Sequence, residues 1–60
     1  MKGKDQFLKV YSNLSLDLRR EIIVLAEGKP ITWNVAYEEI EEETKLGEKI
    51  LKKILELELI

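Results

Sequence analysis

The apolar residues of the C-terminal half constrain this chain most, because they recur at the spacing of helices that bury one face. Thr32 is a natural N-cap, and the pattern after it predicts a helix to about Glu43. Thr44 is a second candidate cap, in front of a last helix. Gly47 weakens helix continuity, so we expect a tight turn at residues 44 to 47 that folds the two helices together. The expected apolar positions are Trp33, Ala36, Tyr37 and Ile40 in the first helix, and Leu46, Ile50, Leu51, Ile54, Leu55 and Leu57 in the second.

An N-terminal helix is predicted over about residues 4 to 12. Its apolar residues recur at spacings of three and four, and polar residues occupy the other side. Ser15 and Asp17 are typical of a helix start and predict a further helical turn. The apolar positions of the N-terminal helix are Phe7, Leu8, Tyr11 and Leu14.

The middle of the chain fits two structures. As a β-hairpin, residues 22 to 26 and 31 to 33 are strands around a turn at residues 27 to 29, where a glycine is free to take a positive φ. As a helix, the same segment leaves Ile23 and Val24 on or near the solvent side, which favours the hairpin. The predicted fold is therefore a mainly α, small α+β domain with an N-terminal helix, a short β-hairpin and two C-terminal helices joined by a tight turn. The alternative is an all-α, tri-helical helix-turn-helix core.

Composition excludes several kinds of chemistry. The 60 residues include no cysteine and no histidine, so there is no disulfide, no thiolate zinc site and no imidazole base. A chain of this length also leaves little room for a catalytic cleft. We therefore predict no enzymatic activity, no cofactor and no metal site. Without a signal peptide or an apolar run of roughly 20 residues, we expect a cytoplasmic location and no membrane partner.

Two groups of side chains are candidates for binding a ligand or a partner. The glutamates of residues 38 to 43 could bind a divalent cation, but their spacing is not that of an EF-hand, and a solvated helix face is the favoured interpretation. Trp33 and Tyr37 lie one turn apart and could form a stacking platform or an anchor for a partner. Because so small a core needs large side chains, we favour burial of this pair.

Charge is distributed unevenly along the chain. Residues 1 to 31 carry six cationic and four anionic side chains, whereas residues 32 to 60 carry four lysines and eight glutamates. A nucleic-acid-binding protein usually gathers cations on the face that meets the phosphates, so the acidic C-terminal half weighs against DNA binding. If the last helix did enter a major groove, Lys49, Lys52 and Lys53 would be the candidate phosphate contacts.

The stretch AYEEIEEETKLGEKILKKILELELI resembles the helix-turn-helix half of winged-helix transcription regulators, with an acidic second helix, a threonine, a short turn containing leucine and a third helix. With LDLRREIIVLAEGKPIT as the first helix, the resemblance covers residues 16 to 60 and implies DNA binding. Glu41 stands where such folds usually keep a small residue. The stretches PITWNVAYEEI and TKLGEKILKKI are also similar to small uncharacterised archaeal-type proteins, and this resemblance implies a strand before PITW.

The expected function is a non-enzymatic protein-interaction or regulatory module that acts as a homo-oligomer, because the apolar residues exceed what one short core can hide. Leu57, Leu59 and Ile60 form an apolar C-terminus that is predicted to complete a homodimer interface. The expected partner is a second copy of the chain or another protein. A helix-turn-helix DNA-binding regulator is the alternative function.

Overall fold

Four helices and one two-stranded antiparallel hairpin make up the computed structural model, which describes residues 1 to 60. The elements in chain order are α1 (Lys4–Ser12), α2 (Leu16–Glu21), β1 (Ile23–Ala26), β2 (Lys29–Thr32), α3 (Trp33–Glu41) and α4 (Lys45–Glu56). The predicted mainly α, small α+β fold is confirmed. The all-α alternative is wrong, because a tight hairpin turn interrupts the segment that it treats as one helix.

The predicted N-terminal helix is confirmed over residues 4 to 12. It buries Phe7 and Tyr11, which lie one turn apart on the same face. The next helix, α2, begins where Ser15 predicts a helix start, since the Ser15 hydroxyl accepts a hydrogen bond from the backbone N–H of Leu18 at 3.2 Å. The chain leaves α2 at Ile22, whose φ of −71° and ψ of 125° are extended.

The hairpin turn consists of two residues with positive φ. Ala26 pairs with Lys29, and between them Glu27 and Gly28 have φ values of 54° and 78°. Two positive φ values in a two-residue loop are typical of a type I′ turn, whose twist matches that of the flanking strands. This backbone is incompatible with a continuous helix, and it reverses the chain between the two strands.

The strand boundaries differ slightly from the prediction. The first strand begins at residue 23 rather than 22, and the second covers residues 29 to 32 rather than 31 to 33. Because the turn has only two residues, Lys29 already pairs with Ala26. Trp33 belongs to α3, because the Thr32 hydroxyl accepts a hydrogen bond from the backbone N–H of Val35 at 3.4 Å and so caps that helix.

The turn between α3 and α4 lies at residues 42 to 44, earlier in the chain than predicted. Glu43 has a left-handed φ of 54°, so α3 ends at Glu41 rather than at about residue 43. The Thr44 hydroxyl accepts a hydrogen bond from the backbone N–H of Gly47 at 2.9 Å, which confirms Thr44 as the cap of α4.

Gly47 lies inside α4 and is buried there. A Cβ atom at this position would lie 2.3 Å from the carbonyl oxygen of Glu39 in α3. The glycine therefore lets two helix backbones touch. The predicted turn at residues 44 to 47 is wrong. Glycine is needed at position 47 because two helices pack closely there, and not because the chain reverses direction there. The close contact is made at Gly47 and not at Glu41, which is exposed.

Ten apolar side chains form one core, to which every element except α2 and β2 contributes buried residues. The Phe7 ring centroid lies 5.9 Å from that of Tyr11 and 5.1 Å from that of Trp33, which links α1 to α3. The indole N–H of Trp33 is buried without an acceptor, an arrangement that costs about 1–3 kcal/mol. The core residues are Phe7, Tyr11, Val24, Ala26, Trp33, Ala36, Ile40, Ile50, Leu51 and Ile54.

Candidate interaction surface

The outer face of the hairpin is apolar and exposed. Along β1, Val24 and Ala26 are buried, whereas Ile23 and Leu25 keep 56% and 59% of their surface exposed. Residues that alternate along a strand point to opposite faces, so Ile23 and Leu25 share the outer face. Leu25 lies opposite Pro30, which is also exposed.

Val35, near the start of α3, is a further exposed apolar residue. Thr32 lies opposite Ile23 in the hairpin register, and its hydroxyl accepts the hydrogen bond from Val35. The start of α3 therefore adjoins the end of β2 that pairs with Ile23. We call Ile23, Leu25 and Pro30 the hairpin patch. The sequence pattern does not predict this patch, because all four residues of β1 are apolar and no polar alternation marks the outer face.

The helix α2 adds further apolar surface. Leu16 is 70% exposed and Leu18 is also exposed, and α2 buries none of its residues. It contacts β2 and α3 without contributing to the core. The N-terminal half of the molecule thus carries exposed leucines in addition to the hairpin patch.

The apolar C-terminus divides into two parts. Ile60 is half-buried and packs against the core, whereas Leu57 and Leu59 are exposed. Leu57 is the C-cap of α4 and not part of its buried face, so its predicted place among the core positions of the last helix is wrong. The chain turns there because Glu58 is left-handed, with a φ of 55°.

The three lysines that sequence analysis treats as phosphate contacts lie on the outer side of α4. Lys49 and Lys52 are exposed and Lys53 is half-buried. At 3.6 residues per turn, the three positions span an arc of about 100°. Lys49 already forms an ion pair with Glu27 in the hairpin turn, and this hydrogen bond and its charge lower the pKa of Glu27.

A cleft of about 410 Å³ lies beside two stacked tyrosines. The rings of Tyr11 and Tyr37 are nearly parallel, with centroids 4.5 Å apart, and the guanidinium carbon of Arg19 lies 4.4 Å from the Tyr11 centroid. Arg19 also donates to the backbone carbonyls of Tyr11 and Ser12 at 3.1 and 3.3 Å. Its guanidinium is therefore engaged in holding α2 against α1, a role that sequence analysis did not identify.

Burial of Trp33 is confirmed, since the side chain is 3% exposed. Tyr37 is half-buried and stacked on Tyr11. The two aromatic residues of α3 thus contact the rings of α1 and do not form a free platform.

Two of the five glutamates in residues 38 to 43 have side-chain partners, and these partners are different. Glu39 accepts a hydrogen bond from the Thr44 hydroxyl at 2.7 Å, and Glu43 accepts one from the Lys4 ammonium at 2.9 Å. The second bond raises the pKa of Lys4 and lowers the pKa of Glu43. No three acidic side chains lie close enough together to hold a metal ion.

Comparison with protein-family models, with curated proteins and with solved structures finds no match to this chain. The resemblances to winged-helix regulators and to small archaeal-type proteins therefore stay predictions. None of the four helices has the length and apolar character that crossing a bilayer requires. The hairpin patch and the exposed C-terminal leucines are the surfaces from which a function can be argued.

Proposed function

We propose that this protein is a non-enzymatic interaction module that acts as a homo-oligomer. The observation that carries the proposal is the apolar surface outside the core. Eight large apolar side chains are exposed, against ten apolar residues that are buried. Contiguous apolar patches on soluble proteins typically mark sites of association. Self-association would cover such surface and would reinforce a core that a chain of 60 residues cannot enlarge.

Two surfaces are candidates for the contact between copies. One is the hairpin patch, where Ile23 and Leu25 are exposed on the same face of β1. The other is the exposed C-terminal pair, Leu57 and Leu59, which belongs to the interface predicted from the sequence. The half-buried Ile60 contributes less to a second copy, because it packs on its own core.

Sedimentation velocity tests the proposal. The wild-type chain is measured between about 10 μM and about 1 mM, the range in which reversible small interfaces associate. We expect the sedimentation coefficient to rise with concentration, and we expect the melting temperature to rise with it because association stabilises the folded state. A chain that stays strictly monomeric up to about 1 mM would contradict the proposal.

A DNA-binding regulator is the second candidate function. The observation that favours it is the set of outward-facing lysines on α4, Lys49, Lys52 and Lys53. Two features oppose it. Lys49 is already paired with Glu27, and residues 32 to 60 carry a net charge of −4, from four lysines and eight glutamates.

Titration with duplex DNA separates the two functions. A DNA binder would show an affinity that falls steeply as salt rises, and Lys52→Ala would weaken binding and reduce the salt slope by about one. Lys9→Ala, an exposed lysine on α1, is the matched control. If no binding is measurable at low salt, the DNA candidate is discarded.

A further inference from the structure

The strand β1 presents one free edge. The backbone N–H of Trp33 donates to the carbonyl of Ile22 at 3.1 Å, so residues 22 and 33 are a hydrogen-bonded pair. Hydrogen-bonded and non-bonded pairs alternate along an antiparallel ladder. Ile23 and Leu25 are therefore at non-bonded positions, and their N–H and C=O groups point away from β2. No backbone hydrogen bond outside the hairpin ladder involves either residue.

The opposite edge, on β2, is closed to pairing. Pro30 lies opposite Leu25, at a non-bonded position where its nitrogen faces outward, and proline has no N–H to donate. Proline on an edge strand is a common protection against pairing. In addition, α2 and α3 both contact β2. The hairpin thus offers one strand edge to a partner and not two.

We propose that the edge of β1 pairs with β1 of a second copy. This inference rests on the proposed homo-oligomeric function and specifies its interface. Antiparallel pairing about Val24 sets Ile23 of each copy opposite Leu25 of the other. Because both residues turn their backbone groups outward, this register forms two hydrogen bonds at each of two pairs. The product is a four-stranded sheet in the order β2, β1, β1, β2.

The same register covers the exposed apolar side chains. Ile23 of one copy and Leu25 of the other lie directly opposite on the outer face, where cross-strand side chains contact each other. This one arrangement therefore gives hydrogen-bond partners to the outward N–H and C=O groups of both copies, and it also covers the exposed apolar side chains of both copies. Since only one edge is open, pairing closes with two copies and does not continue into a fibre.

Electrostatic repulsion does not oppose the pairing of two copies at this edge. The strand β1 has the sequence IVLA and carries no charge, so no like charges meet along it. At the strand ends, the register brings Glu21 of one copy toward Glu27 of the other. Lys49, which forms an ion pair with Glu27, supplies the opposite charge at that point.

The small area of the interface indicates how weak the dimer should be. The exposed parts of Ile23 and Leu25, together with the edge backbone, give an interface well under the roughly 1,200 Å² at which stable complexes begin. The dimer is therefore reversible, with a dissociation constant in the range of about 10 μM to about 1 mM. This range sets the concentrations of the test.

Two variants of one residue test the pairing in the full chain. Leu25→Pro removes an N–H that the hairpin itself does not use, as Pro30 does on the other strand, so we expect the hairpin to form with it. Leu25→Thr also removes the leucine but keeps the N–H. In sedimentation velocity we expect Leu25→Pro to raise the dissociation constant at least about tenfold more than Leu25→Thr, because each dimer loses two backbone hydrogen bonds. Circular dichroism checks that both variants keep the wild-type fold.

Hydrogen exchange of the wild-type chain gives an independent measurement, which also decides the matter if Leu25→Pro does not fold. The amides of Ile23 and Leu25 should exchange more slowly as concentration rises, whereas the amide of Thr32, on the other edge, should not change. Unchanged exchange at all three amides overturns the pairing.

The outcomes separate this inference from the proposed function. If both variants at position 25 dimerise as the wild type does, the β1 interface is wrong, and the homo-oligomeric function stands on another surface. If the wild-type chain is monomeric at about 1 mM, both are overturned, and the edge is left to a strand of a different protein or to none.

Discussion

At the scale of single residues, the missing side chain of Gly47 decides how closely α3 and α4 pack. A Cβ atom there would meet the Glu39 carbonyl oxygen at 2.3 Å and the Ile40 backbone nitrogen at 2.9 Å. Both are backbone atoms, which cannot rotate away as the end of a flexible side chain can. Glycine therefore remains in the helix despite its poor helix propensity.

Gly47→Ala should destabilise the protein even though alanine favours helices. The gain in propensity is about 1 kcal/mol, whereas forcing apart two packed backbones should cost about 2–3 kcal/mol, the upper part of the usual range for overpacking, because backbone atoms cannot rotate away. We expect a net loss of about 1–2 kcal/mol, seen as a melting temperature lower by roughly 4–16 °C. Lys52→Ala, an exposed substitution in the same helix, is the control and should change stability by less than about 0.5 kcal/mol. A more stable Gly47→Ala variant would show that the helices can separate without cost.

Glu58 is a second residue at which the backbone conformation determines how a substitution affects stability. Its φ is 55°, and the N–H of Leu59 donates to the Ile54 carbonyl at 3.1 Å, the closing bond of a Schellman motif. The residue at this place is usually glycine, because a side chain is strained in the left-handed region.

We expect Glu58→Gly to stabilise the protein by about 0.5–1 kcal/mol, since it removes this strain. Glu56→Gly, two residues earlier at the last residue of α4, is the matched control and should destabilise by up to about 1 kcal/mol. Thermal melts of the two variants should therefore move in opposite directions. Equal losses in both would mean that position 58 is not left-handed in solution.

At the scale of elements, ion pairs connect parts of the chain that hydrogen-bonded ladders do not. Lys4 of α1 pairs with Glu43 after α3, and Lys49 of α4 pairs with Glu27 in the hairpin turn. The partner hydrogen bond lowers the pKa of each glutamate from its ordinary value of 4.5, and it raises the pKa of Lys4 from 10.5. All four side chains are at the surface, so each contribution is small.

These shifts predict a loss of stability in acid. A carboxylate with a lowered pKa stabilises the folded state above its ordinary pKa, and that stability is lost as pH falls through the lowered value. We therefore expect the melting temperature to fall as pH drops below 4.5. The Glu27→Gln/Glu43→Gln variant should show a shallower fall. The raised pKa of Lys4 acts in the other direction, and its contribution is lost only above pH 10.5. Identical acid profiles for the variant and the wild type would contradict this assignment.

At the scale of the whole molecule, the core is so small that one aromatic residue can decide folding. Phe7 is fully buried and contacts the rings of Tyr11 and Trp33. A domain of this size has a total stability of roughly 3–9 kcal/mol, at about 0.05–0.15 kcal/mol per residue.

Phe7→Ala should therefore leave the chain largely unfolded. Truncating a buried phenylalanine costs about 3–5 kcal/mol, which is comparable to that total. Leu16→Ala is the control, because Leu16 is 70% exposed and its truncation should cost less than about 0.5 kcal/mol. Circular dichroism at 25 °C and thermal melts distinguish the two variants. A cooperative melt of Phe7→Ala near the wild-type temperature would mean that the aromatic cluster is not the centre of the core.

Local patterns along the chain were enough to predict where the helices begin and to favour a mainly α fold with a hairpin. Ser15, Thr32 and Thr44 each accept the backbone hydrogen bond expected of a cap, and helical apolar spacing identified the buried residues of α3 and α4. These features are local, because a cap and a periodic face depend on residues within one or two turns.

Packing in three dimensions determines three features that no local pattern predicts: the role of Gly47, the contacts of Arg19, and the exposure of Ile23 and Leu25. Each depends on what lies across from the residue in space: the Glu39 carbonyl, the Tyr11 ring, or solvent on one side of a two-stranded sheet. A sequence records neighbours along the chain, and in an all-apolar strand such as IVLA it does not distinguish the face that packs on a helix from the face left open.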